Sequence, residues 1–208
     1  MKIISENNSD SVTLACQYLL EGKIISFPTD TVYGIAVDAS NTKAVDRLYD
    51  LKKRDTTKPI AIFVKDLKEA ENIFSFDEIS QKLAAKFLPG SLTLVLKKKK
   101  NCSIKISEKL SDAENFLGFR IINHDFVKNL MEAFDGVLAV SSANISGGKP
   151  ATSAKEVENY FANSDLELLI DGGISIQKNA STVVKIFDKK IEILRHGAVE
   201  ESSIKLSL

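Results

Sequence analysis

The sequence predicts an α/β protein, a single-domain twisted mixed sheet with flanking helices, and three observations predict it. Helical and strand periodicities alternate from one end of the 208 residues to the other, which is the pattern of a sheet covered by helices. Glycine and proline punctuate the periodic segments where helices should stop, at Gly22 and at Pro89-Gly90. No linker composition or internal repeat divides the chain, and its length suits one large domain over residues 1–208.

In chain order, Val12, Ala15, Cys16, Leu19 and Leu20 mark one helical face ending near Gly22. Lys23 to Phe27 and Val32 to Val37 read as strands. Asn41-Thr42 caps a helix carrying Ala44, Val45, Leu48 and Leu51. Ile60 to Val64 is a strand, and Ile79, Leu83, Ala84 and Phe87 form the next helical stripe. Leu92 to Leu96 and Leu117 to Ile122 are strands, with Phe126, Val127, Leu130, Met131 and Phe134 as the following helix. Val137 to Val140 is a short buried strand, and a Ser-Gly loop at 141–148 leads to a polar helix near Ala154 to Phe161. Leu166 to Ile170, Ser181 to Phe187 and Ile191 to Leu194 are closing strands.

Composition narrows the class. Hydrophobic residues make up 44% and charged residues 27%, ordinary for a globular protein. Lys+Arg and Asp+Glu are both 28, without the basic excess of a non-specific polyanion binder, although a local cluster can still hold a small anion. Cys16 and Cys102 are too few for a disulfide framework and lack metal-ligand spacing, so no metal cage made of protein ligands is expected. The N-terminus has no apolar core of signal-peptide length, and no run approaches the ~20 apolar residues of a membrane span. The expected compartment is the cytoplasm.

Neither a Gly-x-x-x-x-Gly-Lys-Ser/Thr loop nor a Gly-x-Gly-x-x-Gly turn is present. The chemistry-bearing residues stand elsewhere, at the ends of strands. Phe27-Pro28-Thr29-Asp30-Thr31-Val32-Tyr33-Gly34 stops one apolar run and delivers hydroxyls and a carboxylate before the next. It reads as a tight hairpin turn or as a ligand loop. Lys52-Lys53-Arg54 closes a helix, where cations suit the dipole. If Lys52 and Arg54 serve one ligand, the helix must end between them, because residues two apart on a helix face different ways. Ser142 and Asn144, in extended backbone after a buried strand, project to one side. Arg120 shares a strand face with Gly118 and Ile122, and a charge inside a strand needs a partner. Ser181 opens one strand, and Arg195-His196-Gly197 ends another. The lysines at 97–100 read as a solvated turn, with a contact to RNA phosphates as the minor alternative.

Taken together and in order, the string at 27–34, Lys52-x-Arg54, Ser142-x-Asn144, Asp171-Gly172-Gly173, Ser181-Thr182 and Arg195-His196-Gly197 closely resemble the YrdC-like family, the threonylcarbamoyl-adenylate synthases. The resemblance runs from Gly22 to Gly197 and implies a YrdC-like fold in its short, single-domain form. It implies that L-threonine, bicarbonate or CO2, and ATP give threonylcarbamoyl-AMP and pyrophosphate, with Mg2+ carried on the ATP phosphates. Lys52 and Arg54 would be catalytic, neutralising the phosphates with Lys58 assisting. Ser142, Asn144 and Arg195 would hold the nucleotide. Thr31, Arg120, Ser181 and the backbone near Val140 would hold threonine. The product would modify tRNA through a separate threonylcarbamoyl-transferase complex. The sequence departs from many members at Asp55, Lys58, Phe63 and His196. Two other readings stand beside this one: a tRNA or double-stranded-RNA binding module without catalysis, and a carbamoyl-adenylate-forming enzyme acting on another acyl substrate.

Overall fold

The strands of the computed structural model, which describes residues 1–175, 177 and 179–208, join in one ten-stranded sheet. The elements are β1 (Lys2–Ser5), α1 (Ser11–Leu20), β2 (Ile24–Phe27), β3 (Gly34–Asp38), α2 (Thr42–Lys52), β4 (Ala61–Phe63), α3 (Leu67–Ile73), α4 (Glu78–Phe87) and β5 (Leu92–Lys97). They continue as β6 (Phe116–Arg120), α5 (Asp125–Phe134), β7 (Leu138–Ser142), α6 (Ala154–Phe161), β8 (Leu166–Asp171), β9 (Thr182–Phe187), β10 (Lys190–Arg195) and α7 (Glu201–Lys205), with a 3-10 turn at Glu108–Leu110. The strand order is β1-β8-β2-β3-β7-β4-β6-β5-β9-β10, a mixture of parallel and antiparallel pairs as expected.

Local chemistry explains the boundaries. The Asn41 side chain accepts from the Ala44 amide and starts α2. Lys53, with φ of 49°, ends α2 in the left-handed region. A reciprocal Asp77–Ser80 capping box starts α4. Three elements escape the sequence pattern. β1 is a short, mostly exposed edge strand that exists because it pairs parallel with β8, Lys2 opposite Leu168. α3 buries only Ala70 and Ile73 and α7 only Ile204, too little for a readable period. β7 extends past Val140 to Ser142 because β3 pairs with it to that point, Gly34 opposite Ser142. The lysine turn is half corrected. Lys98 is buried and salt-bridged to Glu108, whereas Lys97, Lys99 and Lys100 are exposed.

Two apolar layers flank the sheet. Ile62, Leu94, Phe119, Ala139 and Val184 point into the larger core with α2, α4 and α6. On the other face α1 and α5 pack together over β2, β3, β7 and β8, around Ile25, Phe27, Val140 and Leu168. Strand alternation puts Phe63, Val95, Gly118, Arg120, Val183 and Lys185 opposite the larger core, and these line a cavity of about 760 Å3. Val140 and Phe63 belong both to the α1/α5 layer and to the cavity wall. The cavity is therefore the stretch of that sheet face which the two helices do not cover.

Candidate functional site

The loop between β2 and β3 supplies one wall. These strands form an antiparallel hairpin, Phe27 opposite Gly34, so the turn reading and the ligand-loop reading describe the same segment. Thr29 Oγ1 donates to the Val32 carbonyl at 2.6 Å and accepts from the Thr31 amide at 3.1 Å. That leaves Thr31, whose hydroxyl lies 3.0 Å from Thr29 Oγ1, on the cavity side. Tyr33, also on the wall, donates its hydroxyl to the Gly173 carbonyl and accepts from the Gly172 amide. Burial pushes its pKa up to about 12, so it stays a neutral strut.

Arg120, at the end of β6, has the partner its burial demands. Nη2 donates to Asp30 Oδ1 and to the Gly90 carbonyl, both at 2.8 Å. Nε also donates to Gly90, and Nη1 donates to Thr31 Oγ1 at 3.2 Å. The internal salt bridge and the cavity wall are thus one arrangement. Burial lowers the Arg120 pKa, with Asp30 opposing the shift.

Arg54 and Arg195 reach the cavity from opposite sides. Arg54, freed by the end of α2 at Lys53, anchors Nε on the Lys58 carbonyl and Nη2 on the Pro59 carbonyl. Arg195 anchors Nε and Nη2 on the Ser181 carbonyl and Nη2 also on Ser181 Oγ. Ser181 Oγ in turn lies 2.8 Å from Thr93 Oγ1. Each guanidinium is held by one edge, and among the described residues its Nη1 group meets no acceptor. Burial lowers the Arg195 pKa, and the charges of Arg120 and Arg54 lower it further. Arg195 is therefore repelled by Arg120 and Arg54 across the cavity, a repulsion that an anion between them would relieve. Lys58 adds another cation to the lining, while the Lys185 charge on the wall is met by Asp112 at 3.3 Å.

Two expected ligand residues stand behind the wall instead of on it. Lys52 is 1% exposed, and its ammonium donates to the carbonyls of Ser142 at 2.5 Å and Asn144 at 2.7 Å. The Asn144 amide group donates to the carbonyls of Ile145 and Gly148 while its oxygen accepts from Ser142 Oγ at 2.6 Å. A turn between Ser142 and Asn144, closed by the Asn144 amide on the Ser142 carbonyl, replaces the extended backbone that would have aimed both outward. Ser142 lines the cavity; Lys52 and Asn144 brace the strap that carries it. The Lys52 donors face the carbonyls of Ser142 and Asn144 and the Asn144 side-chain oxygen, so the ammonium that the motif assigns to phosphate points into the strap and away from the cavity lining.

Burial, with Arg54 adding, pushes the Lys52 pKa down to about 7. A lysine in the unfolded chain titrates at about 10.4. Between those values the unfolded chain holds more protons than the folded one, so this group makes stability rise with pH from about 7 upward. Urea unfolding from pH 7.5 to 9.5 checks it. Relative to Lys52→Met, the protein should gain up to about 1.4 kcal/mol per pH unit. Parallel stability curves would show that the ammonium binds its proton normally.

Thr31, Arg54, Lys58, Arg120, Val140, Ser142, Ser181 and Arg195 thus share one cavity, as the sequence motifs suggested. The sequence reading passed over Asp30's partnership with Arg120, and over Thr93, Phe116, Lys185 and Glu192 on the wall. Thr93 carried a signal, a lone hydroxyl alternating with Leu92 and Leu94 in an apolar strand.

Fold and site together define a class: a single-sheet α/β protein whose uncovered sheet face presents clustered arginines and hydroxyls to one open cavity. Residues 17–197 match the family model described as Sua5_yciO_yrdC, telomere recombination, and the chain belongs to that family. A Methanocaldococcus jannaschii protein, provisionally named threonylcarbamoyl-AMP synthase, is 35% identical over 181 residues, 87% of this chain and 83% of its own length. The Pyrococcus abyssi threonylcarbamoyl-AMP synthase is 31% identical over 195 residues, and there the matched region is only 56% of the relative's length. The structure of P. abyssi Sua5 complexed with L-threonine superposes with a TM-score of 0.92 at 30% identity, covering 100% of this chain and 61% of that one.

Proposed function

We infer that the protein is an L-threonylcarbamoyladenylate synthase. The observation that carries this reading is the convergence of Arg54, Arg120 and Arg195, with Thr31, Ser142 and Ser181, on one cavity of ligand size. The names and the bound threonine of the relatives support it. In this scheme the threonine amine attacks CO2, forming the N–C bond and losing a proton to give a carbamate. A carbamate oxygen then attacks the α-phosphorus of ATP. The new O–P bond forms as the bond to the β-phosphate oxygen breaks, and pyrophosphate leaves in line.

Such a reaction asks the protein for positioning and charge neutralisation. Arg54 and Lys58 face the phosphates, Arg195 and Ser142 hold the nucleotide, and Lys52 and Asn144 keep the Ser142 strap in place. Arg120, Thr31, Ser181 and the wall at Val140 take the threonine end. Mg2+ enters with ATP as its counter-ion and keeps few protein ligands. The product then serves tRNA modification in the cytoplasm, through a separate transferase complex.

The test is pyrophosphate release by the purified protein with ATP, Mg2+ and bicarbonate, each amino acid supplied singly. Release with threonine alone supports the reading. Release with another amine moves the substrate, and none from folded, ATP-binding protein rejects the synthase. Arg54→Ala should cut turnover at least about tenfold, the effect of losing one charged hydrogen bond to the transition state. Near-normal turnover would remove Arg54 from the phosphate site.

A further inference from the structure

Asp30 sits in the hairpin loop with an unusual half-use of its carboxylate. Oδ1 accepts from Arg120 Nη2 at 2.8 Å, but Oδ2 is buried without a hydrogen-bond partner. Arginine and carboxylate ordinarily pair fork to fork, through both oxygens. Here the second guanidinium edge is turned elsewhere. Of the five N–H groups of Arg120, Nε and one on Nη2 meet the Gly90 carbonyl, the other on Nη2 meets Asp30, and one on Nη1 meets Thr31. A single N–H, on Nη1, is left beside the Thr31 hydroxyl on the cavity wall. A fork-to-fork pair with Asp30 would engage both edges and leave no such donor. An orphaned carboxylate oxygen in a buried position is costly, so a structure that keeps one needs a reason.

We propose that Asp30 is a positioning residue, clamping Arg120 by its Nη2 edge so that the Nη1 edge stays open to the substrate's carboxylate. The inference rests on the synthase reading. Its chemistry is specific: an amino-acid carboxylate is taken at one point by Nη1, with the Thr31 hydroxyl beside it. The β6 strand fixes Cα of Arg120, the Gly90 carbonyl accepts from Nε and Nη2, Thr31 Oγ1 accepts one N–H of Nη1, and Asp30 adds the one charged contact, on Nη2. Arg54 and Arg195, on the nucleotide side, are anchored on other carbonyls and make no hydrogen bond to Asp30.

The experiment compares steady-state pyrophosphate release by the wild type, Asp30→Asn and Asp30→Glu. Asn keeps an oxygen for Nη2 but removes the charge and places an amide group where Oδ2 has no partner. For Asp30→Asn the KM for L-threonine should rise at least about fivefold, a factor that corresponds to one weakened hydrogen bond, while the KM for ATP stays within about twofold. Asp30→Glu restores the charge on a longer arm and should recover part of the loss, with a threonine KM still about twofold above wild type. Equal rises in both KM values, or no change in the threonine KM of folded Asp30→Asn, overturn the proposal. If Asp30→Asn does not fold, Asp30→Glu decides alone: a raised threonine KM with unchanged ATP KM supports the clamp, and two unchanged values overturn it. A wild type that releases no pyrophosphate with threonine overturns the synthase reading and the proposal together, whereas an active wild type matched by Asp30→Asn overturns the proposal alone.

Discussion

Arg120→Met is expected to destabilise the protein by about 3–5 kcal/mol, the cost of leaving one member of a buried ion pair without its partner. Arg120 is 5% exposed, and the side chain of Asp30 is 11% exposed. Methionine fills much of the volume but donates nothing. The Asp30 carboxylate, already lacking a donor at Oδ2, would lose its Oδ1 donor as well. The Gly90 carbonyl and Thr31 hydroxyl would lose theirs at the same stroke. Urea unfolding at neutral pH checks the figure. A loss below about 1 kcal/mol, the scale of an exposed pair, would mean that water reaches Asp30 freely. The double variant Arg120→Met/Asp30→Leu should be more stable than Arg120→Met, because removing both partners removes the stranded charge.

Gly197→Ala should lower stability by about 1–3 kcal/mol, the usual cost of overpacking, and reduce turnover at least about tenfold through displaced site residues. A methyl group at 197 would overlap the backbone carbonyl groups of Ala180 and Ser181, which cannot swing aside as a flexible side chain can. The same segment is stitched to the start of β9 and the chain leading into it, by the Ala198 amide on the Ala180 carbonyl and by Thr182 Oγ1 on the Val199 backbone. Forcing these chains apart would separate Arg195 from the Ser181 carbonyl and hydroxyl that orient it. Thermal melting and pyrophosphate release measured together check the prediction. Normal turnover with a lowered melting point would show that Arg195 keeps its place without this close approach.

Much of the site was legible as short polar strings at strand ends. Thr31, Arg120, Ser142, Ser181 and Arg195 stand where hydroxyls or cations interrupt apolar runs, period-2 alternation put Arg120 with Gly118 on one face, and the family resemblance gave these residues their expected roles. Lys52 was expected at the phosphates and Asn144 to project with Ser142 from extended backbone, and the structure turns both toward backbone carbonyls. Spacing cannot reveal that reversal, since it depends on the turn at Asn144 and on which carbonyls the strap brings near the end of α2. Asp30 was visible as a residue but not as a partner, because it and Arg120 are 90 positions apart in the chain.

The order of helices and strands, the end of α2 between Lys52 and Arg54, and the residue types at the site all follow from local rules: hydrophobic period, capping side chains, glycine and proline. The ten-strand order, the edge strand β1 and the cavity itself follow from long-range pairing. β6 lies between β4 and β5, and β9 lies between β5 and β10. Only that arrangement brings Arg54, Arg120 and Arg195 together. α1 and α5 cover one part of the sheet face and leave the rest open. Local propensity acts over a few residues, whereas the geometry of a charge cluster is decided by which distant strands bury their apolar faces together.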